Sequence, residues 1–342
     1  MLRGKIIYII TLIASSLILS PFTNIYAGQD GEKVRVIVTV EILKSIISPI
    51  VNGVGEVHSI ISGEVDPHNF MLTPSIIKEA ERADIIVITG HMMWEKDLVE
   101  KVAEERELPE ESISLNLLDL NGIKILDLNG ERNVHGFWLL PDNALTIAEA
   151  VKNRILEIKP EFSQKILENY LLFEKDVHAF KSFLSGLSER HNLINKSVVI
   201  GFYAEHYVAE AMGLKVEAAL IGEGEYVRPE SLRSIYEGFR TERFSCIIVS
   251  ENALLMENVQ SAIREISGET GCPIAYVIAV SSDGLEKYDA IMYYNAGQVY
   301  NALLSRKGSS ASGFNIYLLA ALTFLFIIVF ETILLVKERS KL

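Results

Sequence analysis

Pro74-Ser75-Ile76-Ile77-Lys78-Glu79-Ala80-Glu81-Arg82-Ala83-Asp84-Ile85-Ile86-Val87-Ile88-Thr89-Gly90-His91 (74–91) holds one whole unit of the fold. Residues 74–82 have helical character, and 85–89 is a run of β-branched residues of the kind that fills a strand buried on both faces. Gly90 ends that strand, and helical character returns over 94–105. Upstream, 34–40 and 57–62 are further β-rich runs. Strands alternating with helices at this spacing predict a parallel sheet with covering helices.

The same alternation returns in the second half of the chain. Strand candidates fall at 198–201, 215–219, 246–250 and 274–279, with helices starting near Glu205, Pro229, Asn258 and Lys287. Between the halves, 142–158 and 161–191 form a long helical stretch interrupted at Pro160, where one helix ends and the next begins. Residues 117–122 and 125–130 repeat almost the same letters, each closing in Asn-Gly, and predict two short strands or turns. The expected class is α/β: a lobe over 33–141, connecting helices over 142–192 and a second lobe over 195–305, joined rigidly around a cleft. In open α/β sheets ligands bind beyond the carboxyl ends of the strands.

Each end carries a long apolar run. Arg3 and Lys5 precede an apolar stretch at 6–19, then Pro21 and the small residue Ala27 stand before Gly28-Gln29-Asp30, which predicts a signal peptide over 1–27. An uncleaved N-terminal anchor is the other reading. Residues 314–336 are apolar with a single acid, Glu331, and as a helix they match a hydrocarbon core of about 30 Å. Lys337, Arg339 and Lys341 follow, so the positive-inside rule places the tail 337–342 in the cytoplasm and the body outside. The expected product is a single-pass protein of the cell membrane, its extracellular, monomeric ectodomain joined to the C-terminal transmembrane helix by a linker at 306–313. A net charge of −13 offers no basic field for phosphate and excludes nucleic acid as a partner.

The loops after the strands are rich in metal ligands. His68 follows the second strand, His91 the third, His135 lies in the connection to the long helices, and His206 follows the first strand of lobe two. Imidazole suits zinc and other first-row divalent ions, and Glu205, Glu251 or Asp283 are the carboxylates placed to complete a shell. His91 stands beside Trp94 and Glu95, which start a helix, so a capping or cleft-wall role competes with ligation. For Glu251 a helix-starting role competes equally. The cysteines, Cys246 and Cys272, mark two strand entrances; a disulfide and two separately buried thiols are both open.

Gly63-Glu64-Val65-Asp66-Pro67-His68-Asn69-Phe70-Met71-Leu72-Thr73-Pro74-Ser75 closely resembles a signature of the cluster A-I metal-binding proteins, the solute-binding components of zinc and manganese ABC importers. Further echoes follow in order: Ala83 to Val87 before Gly90, His135 with Trp138-Leu139 and Pro141 to Ala144, Tyr207 with Gly213-Leu214, then Tyr288 through Met292 and Asn295. The resemblance spans about 33–304 and implies that His68 ligates the ion. It also assigns His135, although His135-Gly136-Phe137-Trp138 is one residue longer than the family's His-x-Trp. In lobe two the family's ligand column holds Tyr203 or Phe202, which moves the expectation one helical turn on to His206, or to Glu205. The family's last acid has Asp283 as its nearest equivalent. The expected set is therefore His68, His135, His206 and Asp283, with Glu205, Glu251 and His91 as alternatives.

What the resemblance implies for function is capture and delivery of Zn²⁺, with Mn²⁺ the alternative, to an ABC permease and its ATPase, without catalysis. The rivals are an extracellular zinc hydrolase and a binding protein for another solute. No His-Glu-x-x-His helix and no Gly-x-Ser-x-Gly elbow occurs in the chain, and the candidate loops carry histidines and acids rather than the basic residues an oxyanion needs.

Overall fold

The computed structural model describes residues 33–62, 67–128, 130–221, 227, 229–281 and 284–305. The stretches expected as signal peptide, linker and membrane span lie outside these residues, as does Asp283. Among the described residues no helix is long and apolar enough to cross a membrane. The described residues from Val34 to Ser305 belong to one compact unit that contains two parallel sheets.

The first sheet is built from β1 (Val34–Val40), β2 (Gly55–Ile61), β3 (Ile85–Ile88) and β4 (Ser114–Asn116) in the order β2-β1-β3-β4. Val36, Val38, Ile86 and Val87 are wholly buried, as the unbroken apolar runs require of a sheet covered on both faces. Its helices are α1 (Ile42–Val51), α2 (Pro74–Ala80), α3 (Met93–Arg106) and the single turn α4 (Glu110–Ile113). A small antiparallel hairpin follows, β5 (Leu126–Leu128) with β6 (Glu131–Asn133). The two similar Asn-Gly segments thus part company. The first is a 3-10 turn at Leu117–Asp119 and the second enters β5.

Two helices join the halves, α5 (Pro141–Ile158) and α6 (Ser163–His191), separated by a 3-10 turn at Pro160–Phe162. Helix α6 has 29 residues, about 44 Å at 1.5 Å per residue. It buries Ile166, Asn169, Phe173, Val177, Phe180, Leu184 and Ser188, a stripe at spacings of three and four. Asn169 donates to the carbonyls of Ile50 (2.9 Å) and Asn52 (2.8 Å), so the connecting helix caps the C-terminus of α1.

The second sheet comprises β7 (Ser197–Ile200), β8 (Lys215–Ala219), β9 (Ile247–Ser250) and β10 (Ile274–Val277) in the order β10-β9-β7-β8. Counted within each sheet, both read second-first-third-fourth, so each has a switch point between its first and third strands. Helices α7 (Glu205–Ala211), α8 (Pro229–Arg240), α9 (Glu257–Thr270) and α10 (Tyr288–Ser305) accompany this sheet. Helix α10 packs on β10 and also reaches α6 and α1.

Cys246 and Cys272 are both buried. Ile274 pairs with Ile247, which puts Cys272 one residue out of step with Cys246. Both sit within the apolar core, as small buried cysteines do.

Candidate metal centre

Three segments at the carboxyl edge of the first sheet bring histidines together. His68 stands in a 3-10 turn, Pro67–Asn69, after β2. That turn is held by α3: the Trp94 indole N–H donates to the Pro67 carbonyl (2.8 Å), and Phe70 packs on Trp94 at 4.8 Å between ring centres. His91 follows β3 directly, and His135 follows β6. Ring centres lie 5.5 Å apart for His68 and His91, and 5.1 Å for His135 against each of the others. One nitrogen from each ring lies within 4.8 Å of the other two. A tetrahedral zinc ion with bonds of about 2.0–2.1 Å holds its nitrogens roughly 3.3 Å apart, so a modest inward turn of the rings completes the grip.

Glycine makes this approach possible at two places. Gly90, beside His91, has φ +94°, and a Cβ there would lie 1.8 Å from Asn116 Oδ1. Gly136, beside His135, has φ +84°, and its Cβ would meet Ala204 Cα at 2.9 Å. Only a residue without a side chain turns the backbone this way at such close range.

The electrostatics favour neutral rings. Burial, reinforced by the neighbouring His135 and His68, pushes His91 down to about 3. Burial with His68 lowers His135 to about 4. Both therefore present lone pairs rather than charges at neutral pH. His135 Nδ1 is buried with no hydrogen-bond partner among the described residues, which an apolar pocket tolerates poorly. The cavity around the three rings is about 30 Å³, lined also by Trp138, Phe202, Ala204 and Val280. That is room for an ion or a single water molecule.

Lobe two supplies the wall opposite. The His135 ring stacks on Tyr203 at 5.4 Å, with Phe202 at 5.8 Å. Two of its candidate acids, Glu205 and Glu251, are engaged elsewhere. Glu205 is fully buried and accepts from Phe202 N (3.0 Å) through one oxygen and Ser250 N (2.6 Å) through the other. Burial raises it to about 7 against those hydrogen bonds. Glu251 accepts the N–H groups of Ala279, Val280 and Ser281, clamping the loop after β10. These carboxylates staple lobe two together instead of reaching the histidines.

His206 is not in the group that can share an ion among the described residues. It is one residue past the buried Glu205 on α7, and its charged neighbours are Glu210, Asp127 and Lys124; burial lowers its pKa. The reason is a turn of helix: Tyr207, not His206, faces the His135 segment, where its hydroxyl donates to the Asn133 carbonyl and accepts from Leu126 N. His91 thus joins His68 and His135. The signal for it was its place directly after a central strand; Trp94 and Glu95 suggested a cap, and they do form the first turn of α3.

The model of the family described as zinc-uptake complex component A, periplasmic, matches residues 36–302. A metal ABC transporter substrate-binding lipoprotein of Streptococcus sanguinis is 23% identical, covering 81% of this chain and 91% of its own length. A manganese ABC transporter substrate-binding lipoprotein of Streptococcus anginosus is also 23% identical, over 81% and 91%. The iron-binding protein YfeA of Yersinia pestis is 22% identical over 84% and 90%. Among solved structures, that of ZnuA superposes with a TM-score of 0.66 at 15% identity, over 80% of this chain and all of that one. The solute-binding protein FpvC of Pseudomonas aeruginosa with Mn²⁺ does so at 0.64 and 18%, over 80% and 100%. At these identities the structural likeness speaks for the two-lobed fold.

Proposed function

Since the chain belongs to the zinc-uptake complex component A family, we propose that it captures a divalent first-row metal ion outside the cytoplasm and hands it to an ABC permease driven by its ATPase. The observation that carries this reading is the triad of His68, His91 and His135, one nitrogen each within mutual reach. We assign these three as the ligands, with water or Asp283 in the fourth position. The metal is cargo, and no bond of a substrate is made or broken.

Zinc is the preferred ion. Neutral imidazoles suit it, whereas manganese favours carboxylate oxygen, and Glu205 and Glu251 give their oxygens to backbone N–H groups. The relatives are named for manganese in one case and iron in another, so the preference rests on the donor set of this chain. Residues 314–336 serve as the membrane anchor in this proposal, holding the body beside its permease.

The test is metal content of the full-length chain and competition between zinc and manganese, with His68→Ala, His91→Ala, His135→Ala, His206→Ala and Asp283→Asn. One ion per chain is expected, with zinc displacing manganese. Each of the first three substitutions should weaken zinc by more than the 10–100-fold typical of losing an outer-sphere partner. His206→Ala should leave affinity unchanged, and Asp283→Asn separates an acid from water in the fourth position. A loss at His206→Ala equal to that at His68→Ala rejects this ligand set.

A further inference from the structure

Behind His91 stands a buried relay that ligation alone does not explain. Glu95, at the third position of α3, is fully buried. It accepts from Thr39 Oγ1 at the end of β1, from the Thr89 backbone N–H (2.8 Å), and from Gly90 N (2.8 Å) and Met92 N (3.3 Å). Thr89 Oγ1 also lies 2.9 and 2.8 Å from the two Glu95 oxygens. The same hydroxyl is 2.9 Å from His91 Nδ1.

A hydroxyl has one hydrogen to give. With donors converging on both its oxygens, Glu95 is the acceptor, so the Thr89 hydrogen goes to Glu95. The oxygen of Thr89 then has only lone pairs to turn toward His91, and Nδ1 must carry the proton. In a neutral ring that leaves Nε2 as the bare nitrogen. The relay also ties together the ends of the two strands flanking the switch point, β1 and β3, so the ring that it orients is anchored to the rigid edge of the sheet.

We infer that Thr89 and Glu95 are positioning residues that hold His91 in its Nδ1–H tautomer and so present Nε2 to the ion, turning a histidine that would otherwise cap a helix into the third ligand. This rests on the capture reading above, and the experiment separates the two. Outer partners of ligating histidines commonly work in this way, donating or accepting at the far ring nitrogen.

The test uses the full-length chain with ¹⁵N-labelled histidine, metal-free and near neutral pH, alongside zinc titration. The wild type should show His91 with a protonated Nδ1 and an unprotonated Nε2. Thr89→Val, which keeps the shape and removes the acceptor, should shift His91 toward the Nε2–H form and weaken zinc about 10–100-fold. Thr89→Ser should restore both readouts, and thermal unfolding of each variant shows whether the fold is kept. Should Thr89→Val fail to fold, Glu95→Gln reports instead, since its amide gives Thr89 a donor in place of an acceptor. A His91 tautomer that Thr89→Val does not move, or zinc affinity unchanged when the tautomer does move, overturns the positioning role alone. A wild-type chain with the expected tautomer and no zinc binding overturns the capture reading, and the positioning role falls with it.

Discussion

Glu205 shows how a single side chain can read as a ligand and serve as scaffold. It is an acid at the first position of α7, one residue before His206, and both oxygens are turned inward to Phe202 and Ser250. Those bonds join the turn after β7 to the end of β9, as Glu95 joins β1 and β3 in the other sheet. Because burial outweighs them, the carboxyl sits at about 7, above its ordinary 4.5. An acid whose folded value is raised favours the native state fully below about pH 4.5 and loses that contribution as pH rises through 7. The difference of about 2.5 units corresponds to about 3 kcal/mol. Urea unfolding of the metal-free chain should therefore show stability declining between about pH 4.5 and 7, and Glu205→Gln should flatten that decline. A variant with the wild-type slope would place the titrating group elsewhere.

At the scale of elements, the His135 segment is the piece whose position is set from outside itself. The hairpin β5–β6 leads into it, and lobe two grips that hairpin: Asn133 Nδ2 donates to the Tyr203 carbonyl (2.8 Å), while the Tyr207 hydroxyl bridges Asn133 and Leu126. The chain then turns at Gly136 against Ala204. Gly136→Ala should cost about 1–3 kcal/mol from its left-handed backbone, more once the clash with Ala204 is included, and should loosen zinc by displacing His135. Chemical denaturation and zinc titration read the two effects; wild-type values in both would mean that this turn has room to relax. Elsewhere, β1 and β8 match their expected ranges, and most other strands differ by one or two residues at an end. Helix α1 and strand β4 escaped the sequence reading. Pro49 and a run of isoleucines argue against a helix locally, and burial of Ile42, Leu43, Ile46, Ile47 and Ile50 overrides that. Strand β4 has three half-buried residues, too few for a period to emerge.

Across the whole molecule, the two sheets are tied at the level of the candidate metal centre. Ile42 N donates to the Val280 carbonyl (3.0 Å), the Trp138 indole to the Ala279 carbonyl (2.9 Å) and the Tyr288 hydroxyl to the Leu139 carbonyl (3.0 Å). Glu251 braces the same 279–281 loop from beneath. With α10 also packed on α6 and α1, the arrangement suits a small tilt of the lobes rather than a wide hinge. Tyr288→Phe removes one tie while keeping the buried ring, so stability should fall by about 1–3 kcal/mol through the unpaired carbonyl. Equilibrium unfolding checks this, and an unchanged midpoint would show that water or a shifted group satisfies Leu139.

The α/β class, the paired lobes and the long connecting helices were legible in the chain, because strand and helix periods are local and recur along it. The histidines were legible as a set for the same reason: each follows a strand, and strand ends in such sheets converge on a cleft. Which of them meet was decided only in three dimensions. His206 and Tyr207 are adjacent in sequence and face different ways, since one residue along a helix is a turn of about 100°. Glu205 and Glu251 look like ligands until their backbone partners, 3 to 45 residues away, are seen to occupy them. In the proposed site His91 is the third arm because Thr89 and Glu95 aim it, and that relay depends on Thr39, 56 residues from Glu95, ending the neighbouring strand.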